Sequence, residues 1–321
     1  MHNKILEKLP GVQQNILLKD FTTYKIGGPA KYFFIAKTHE ELMLALKVAK
    51  EFKLPFFILG GGSNLLISDK GFNGLVIRID ILNTEFNGNK AEVGAGISLA
   101  KLSYLATEKG LSGLEWATGI PQCTLGGAVY GHAQAFGTKT SDVIKSVEVL
   151  NVKTLKFEKF TKNQCLFSLK NSVFKKNKNL IVVSAVLEFN EKDKTEIENK
   201  IKEFLEYRKA RHPVNFPSAG STFVNPETKI KNKQLLKEYS ELKDYNEKGV
   251  IPAGYLIAKC GLVGKKIGNA QISEKHANFV INLGGAKAKD VLNLIKLAKK
   301  KVKEKFKINL ETEVQFVGFK K

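Results

Sequence analysis

Hydrophobic positions recur along this chain at two spacings. Leu42, Ala45, Leu46 and Ala49 fall on one helical face, and Thr38 with Glu41 has the spacing of a capping box at its start. Leu99, Leu102, Leu105 and Ala106 repeat the pattern behind a capping Ser98, with Gly110 as the stop. Ile197, Ile201, Phe204 and Leu205 predict a helix around Thr195–Lys209, and Val291, Leu294, Ile295, Ala298, Val302 and Phe306 predict a long one near the end. A shorter helix is expected from Pro252 to Gly261. Strands are expected at Lys31–Ala36, Phe56–Leu59, Leu75–Ile79, Ala91–Gly94, Val147–Leu150 and Leu180–Phe189, where apolar and β-branched residues run or alternate. Gln271–Asn282 reads as a loop entering a buried strand. In Leu310–Gly318 the alternation puts Glu311, Glu313 and Gln315 opposite Leu310, Thr312, Val314 and Phe316. Residues 1–20 predict no more than an arm or a short helix.

Four stretches break these rhythms. In Phe56–Ile67, FFILGGGSNLLI, an apolar strand stops at Gly60-Gly61-Gly62. Bare glycines admit backbone angles closed to other residues and let a ligand lie against the chain, and successive N–H groups in such a turn can cradle a phosphate. A plain tight turn fits equally well, and no helix follows as a Rossmann turn would require. Leu114–Gly137 is neither periodic nor very polar, and its small residues leave room for a large flat ligand. His132 within it stands alone and reads as structural. Gly27-Gly28-Pro29 demands a turn, and so does Gly220-Ser221 between Pro217 and Pro226. Ser221 lacks the G-x-S-x-G setting of a hydrolase nucleophile.

Length, charge and cysteines narrow the class. A chain of 321 residues suggests roughly two domains, with the boundary near residue 206. No apolar run reaches the roughly 18 residues of a membrane span, and the first residues lack the apolar core of a signal peptide. Cys123, Cys165 and Cys260 are far apart and without CxxC spacing, which favours reduced thiols in a cytoplasm over disulfides or a zinc site. The net charge of +21 raises the question of nucleic acid, but only Arg78, Arg208 and Arg211 are arginines and the lysines are scattered. Neither a nucleic-acid nor a membrane partner is expected. The charge can still steer an anionic small molecule.

Taken in order, TYKIGGPA, ILGGGSNLLI, GIPQCTLGGAVY, KNSVF, PSAGSTFVNP, AGYLI, KHANFVIN and LETEVQFVG resemble the UDP-N-acetylenolpyruvoylglucosamine reductases, flavoenzymes of peptidoglycan precursor synthesis. The resemblance spans nearly the whole chain. It implies an α+β fold: a two-part FAD-binding domain of the vanillyl-alcohol-oxidase (PCMH) type over residues 1–206, split near residue 80, then a smaller UDP-sugar domain over residues 207–321. It implies FAD as cofactor, NADPH as reductant, UDP-N-acetylglucosamine enolpyruvate as substrate, and a cytoplasmic monomer. It places FAD contacts at Gly60, Gly61, Gly62, Ser63, Asn64, Gly119, Ile120, Thr124, Gly126, Gly127, Ala128 and Val183, and substrate contacts at Asn225, His276 and Arg211. The catalytic positions are Lys170, Ser221 and Glu313, expected to surround one small cavity, with Ser221 as proton donor and Glu313 buried enough to hold a proton.

The chain departs from the family pattern where that pattern reads Tyr-Arg-x-Ser-x-Phe and this sequence reads Leu169-Lys170-Asn171-Ser172-Val173-Phe174. Lys170 keeps the charge and loses the planar two-pronged grip. Pro121-Gln122 replaces Pro-Gly, and Gly131-His132-Ala133-Gln134 replaces Met-Asn-Ala-Gly. Two competing readings follow: a catalytically impaired relative that keeps FAD or UDP-sugar binding, and a flavin oxidoreductase of the same fold with another substrate.

Overall fold

The structure, a computed structural model, describes residues 2–319. Contacts divide it into two units. The first comprises the chain up to Leu17, Pro29–Ser63 and Phe72–Arg208; the second comprises Leu18–Gly28, Asn64–Gly71 and the chain from Lys209 on. The boundary expected at residue 206 falls inside the helix Lys194–Arg211, and two segments expected in the FAD-binding domain belong instead to the second unit. The reason is long-range pairing that local patterns do not mark. Leu65–Ile67 runs parallel to Gln315–Val317, and the buried Tyr24 hydroxyl donates to the Val280 carbonyl at 2.7 Å.

In the first unit, Pro29–Ala36, Phe72–Ile79 and Phe56–Leu59 form a parallel set, with Gln13–Leu17 antiparallel at its edge. Parallel neighbours need a crossover, and the helix His39–Glu51 supplies it. Thr38 caps that helix by accepting from Glu41 N–H at 3.2 Å, and Leu42, Ala45, Leu46 and Ala49 are buried as the spacing predicted. The edge strand carries no clear sequence signal, because its five residues are too polar to show a core face. A second sheet is antiparallel throughout, in the order Lys156–Thr161, Ile144–Asn151, Leu180–Glu188, Lys90–Gly94, Thr84–Asn87. One buried core serves both sheets, with Ile77, Val93, Trp116 and Val183 among its members.

Leu114–Gly137, aperiodic in sequence, is not one long loop. It holds a 3-10 turn at Glu115–Ala117 and a helix at Leu125–Gly131, capped by Thr124. Its glycines hid the helix, since each lowers helix propensity by about 1 kcal/mol relative to alanine.

The second unit is built on the antiparallel sheet Ser218–Ser221, Phe279–Asn282, Ala270–Ile272, Lys266–Ile267, with its own core into which Val291, Leu294, Ile295, Ala298, Val302 and Phe306 of the helix Ala288–Phe306 are buried. Gly220-Ser221 is not a turn between prolines but the end of a bulged strand. Ser218 lies opposite Ile281 and Ser221 opposite Phe279, so the strand carries one extra residue, and Gly220 takes it up at φ +73°. In the last segment only Gln315–Val317 is a strand. Leu310, Val314 and Val317 are buried while Phe316 is 41% exposed, so the expected alternation stops after Val314.

Candidate active site

In the first unit the glycine loop leaves Phe56–Leu59 and lies against the segment that starts the helix Leu125–Gly131. A Cβ on Gly61 would collide with the Gln122 carbonyl, and one on Gly60 would come within 2.7 Å of Thr124 Oγ1. Gly62 stands at φ +67°, where only glycine is unstrained. Gly126 donates to the Ala95 carbonyl at 2.8 Å, and Ala95 N–H donates to the Val183 carbonyl at 2.9 Å. A Cβ on Gly126 would meet Ala95 Cβ at 2.9 Å. The glycines therefore let two loops approach as bare backbone. Gly127 is exposed, and Ser63, Gly119 and Ile120 are half-buried. Ala128 and Val183 are wholly buried in the core and offer no surface to a ligand, so they back the wall rather than line it.

Cations stand beside these loops. Ser63, Lys170 and Arg208 all act on the Cys123 thiol, which burial pushes up to about 11 while Ser63 and the two charges pull it down. Lys170 sits in the tight turn between Ser168 and Asn171, at φ +53°, and Lys175 Nζ donates to its carbonyl at 2.8 Å. The Arg208 guanidinium lies 5.3 Å from the Phe136 ring centre, and its alkyl stem presses on Gly119. Arg208 Nε is buried with no hydrogen-bond partner among the described residues, and burial lowers the group's pKa. A buried donor left unpaired costs about 1–3 kcal/mol. An acceptor from a ligand would remove that cost. Bare glycine loops beside a buried guanidinium with an unpaired Nε donor among the described residues fit a planar, anionic dinucleotide such as FAD.

The second unit brings Ser221 and Glu313 onto neighbouring backbone. Glu313 N–H donates to the Thr222 carbonyl at 2.9 Å, and Val224 N–H donates to the Glu311 carbonyl at 3.0 Å. Asn64 Nδ2 donates to the Glu313 carbonyl at 3.2 Å, and the Asn64 carbonyl accepts from Gln315 N–H at 3.0 Å. Asn64, expected on the cofactor, thus spends its amide donor on Glu313, while its Oδ1 is buried without a hydrogen-bond partner among the described residues. Glu313 is half-buried, not on an open solvent face. His276 is held below the ordinary imidazole value mainly by burial, and its Nδ1 accepts from Asn278 N–H at 3.2 Å, which leaves the proton on Nε2. Asn225 Oδ1 accepts from Ala253 N–H at 3.0 Å, capping the helix Ala253–Lys259, and Arg211 is exposed.

Residues 30–154 match the model of an FAD binding domain, and residues 212–317 match that of the UDP-N-acetylenolpyruvoylglucosamine reductase C-terminal domain. A Clostridium novyi protein named UDP-N-acetylenolpyruvoylglucosamine reductase is 37% identical over 98% of this chain and 96% of its own length. One of the same name from Caldicellulosiruptor bescii is 40% identical over 94% and 89%. The crystal structure of the Thermus caldophilus UDP-N-acetylenolpyruvylglucosamine reductase superposes with a TM-score of 0.76 at 34% identity, covering 95% of this chain and 98% of that one. The chain belongs to the UDP-N-acetylenolpyruvoylglucosamine reductase family.

Two departures from the reductase pattern fall where the backbone is left-handed. Gln122, where the family pattern reads glycine, stands at φ +53°, and His132, where that pattern often reads asparagine, stands at φ +46°. Glycine and asparagine are the residues that tolerate these left-handed angles best. His132 is fixed at both ring nitrogens, with Nδ1 2.6 Å from the Ser168 carbonyl and Nε2 2.9 Å from Ser141 Oγ, so it is structural. Ser172 in KNSVF donates to the Tyr130 carbonyl at 2.7 Å and caps the turn Val173–Lys176. The burial of Arg208 and Asn278 has no mark in the sequence. A lone arginine in a polar helix and an asparagine within a motif carry no local signal of burial.

Proposed function

We propose that this chain reduces the enolpyruvyl group of UDP-N-acetylglucosamine enolpyruvate to the lactyl ether of UDP-N-acetylmuramate, a step of peptidoglycan precursor synthesis. FAD is the cofactor and NADPH the reductant. What supports the reading is full-length membership of the reductase family together with Ser221 and Glu313 standing on paired backbone segments of one unit. When bound, FAD would supply the hydride, taken from NADPH, that the enolpyruvyl C3 receives.

The remaining chemistry falls to side chains. Hydride arriving at C3 drives charge into the substrate carboxylate, which then needs a cation and an acid. Lys170 supplies the cation, as a point charge where an arginine would grip with two donors. Glu313 supplies the acid. Ser221 protonates C2. A hydroxyl is a weak acid, and it donates because the adjacent carbanionic carbon is strongly basic. Gly60–Ser63, Gly119, Ile120, Thr124, Gly126 and Gly127 hold the cofactor, with Arg208 as its cation. Asn225, His276 and Arg211 hold the UDP-sugar, His276 through the Nε2 proton left free by its bond from Asn278. The working form is a cytoplasmic monomer that takes small molecules only.

Anaerobic spectroscopy tests this. NADPH should bleach the yellow protein, and UDP-N-acetylglucosamine enolpyruvate should restore the colour. Bleaching without recovery would move the substrate elsewhere within the fold. A yellow protein that NADPH does not bleach would mark the impaired relative.

A further inference from the structure

Asn278 is buried, and every polar group it has is committed within the second unit. Its carbonyl accepts from Thr222 N–H at 2.7 Å. Its side-chain Oδ1 accepts from Phe223 N–H at 3.0 Å, and its Nδ2 donates to the Phe223 carbonyl at 2.8 Å. Its own N–H goes to His276 Nδ1. The ladder between Ser218–Ser221 and Phe279–Asn282 ends at the Ser221–Phe279 pair, because the chain ahead of Phe279 turns away through Ser273–Ala277. Beyond that point the Asn278 amide presents one acceptor and one donor to Phe223, as the next residue of a strand would. The opposite side of the same three residues is taken by the last segment: Thr222 by Glu313, Val224 by Glu311, with Phe223 facing Thr312. Thr222–Val224 is thus a short bridge clamped on one side by Asn278. Ser221 sits at its near end and Glu313 hangs from its far side.

We infer that Asn278 is a positioning residue: its amide replaces a missing strand and fixes the spacing of Ser221 and Glu313 needed for proton delivery to the substrate. The mechanistic half of this rests on the reductase reading; the clamp itself does not. A displacement on the order of 1 Å at a reacting group can cost about 100-fold in rate. NADPH oxidation needs neither Ser221 nor Glu313, so the two half-reactions should separate.

Asn278→Asp makes the test specific. A neutral carboxylic acid can still accept from Phe223 N–H and donate to its carbonyl, whereas a carboxylate can only accept and opposes that carbonyl. In stopped-flow measurements, bleaching by NADPH should match the unsubstituted protein at each pH. Recovery of colour with the enolpyruvyl substrate should be close to normal in acid and fall by about 10- to 100-fold as the new carboxyl ionises. Equal slowing of both half-reactions, or a recovery rate that ignores pH, overturns the inference. Hydrogen exchange supplies a readout independent of catalysis. In Asn278→Ala, or in Asn278→Asp at high pH should the alanine variant not fold, peptides covering 222–225 and 311–315 should exchange at least about ten-fold faster together. Faster exchange in the first peptide alone overturns the clamp. If the unsubstituted protein is not recoloured by the enolpyruvyl substrate, the reductase reading fails, and exchange alone decides whether Asn278 holds the pair.

Discussion

Gln122 and Lys170 both stand in the left-handed region, at φ +53°. For Gln122 the consequence is strain without a visible return, since its side chain is exposed and its φ is one glycine adopts freely. Left-handed geometry costs a residue with a Cβ about 1–2 kcal/mol, and glycine gives back roughly 0.5–1 in unfolded-state entropy. Gln122→Gly should therefore raise stability by about 0.5–1 kcal/mol, read by denaturant unfolding of the FAD-saturated protein. A loss of stability would mean that the Gln122 side chain has a role of its own. At Lys170 the chemistry decides. Lys170→Arg restores a two-pronged carboxylate contact worth about 1–3 kcal/mol, so the rate of colour recovery should rise about 10- to 100-fold while bleaching by NADPH stays put. A fall would show a pocket rebuilt around lysine. Both positions stand out in the sequence as departures from a family pattern, but only the backbone angle explains why glycine belongs at 122.

Among elements, the helix Ala288–Phe306 shows how far local reading reaches. Its apolar spacing marks its buried face without ambiguity. Only part of its cap is local: Asp290 Oδ2 accepts from Lys287 N–H at 3.0 Å, while Asp69, far back in the chain, accepts from Ala288 N–H at 2.8 Å through Oδ1 and from Lys289 N–H at 3.3 Å through Oδ2. Asp69→Ala should cost about 1 kcal/mol, the usual worth of an N-cap, by urea unfolding. The segment Leu18–Gly28 follows the same logic. TYKIGG reads as a turn, yet Tyr24 is buried in the second unit, and its carbonyl accepts from Asn282 Nδ2 at 3.0 Å. Nothing in the local pattern says which of two cores receives it. The bulge at Gly220 is a third case: the glycine is plain to see, but its function as the extra residue of a strand depends on a partner far along the chain.

At the scale of the molecule the charge matters first. With a net charge of +21, association with anionic NADPH and UDP-sugar should be electrostatically steered. kcat/KM should fall several-fold between about 0.01 M and 0.3 M salt while kcat holds; a flat profile would confine the lysines to solubility. Acid is the second lever. Burial holds His132 and His276 below the ordinary imidazole value, so the unfolded chain takes up these protons more readily than the folded one. Their contribution to stability is complete above about pH 6.5 and is lost as the pH falls from there through the lowered folded values. The urea midpoint should drop on acidification, and His276→Gln should lessen the drop. The order of residue types along the chain determined most helices and central strands, the family and the cofactor, because each leaves a mark within a window of about ten residues. Tertiary structure alone decided that residues 18–28 and 64–71 join the second unit, that Asn64 holds Glu313, and that Asn278 completes a strand for Ser221. Those are pairings between distant segments, and a hydrogen bond across such a distance in sequence has no local signature.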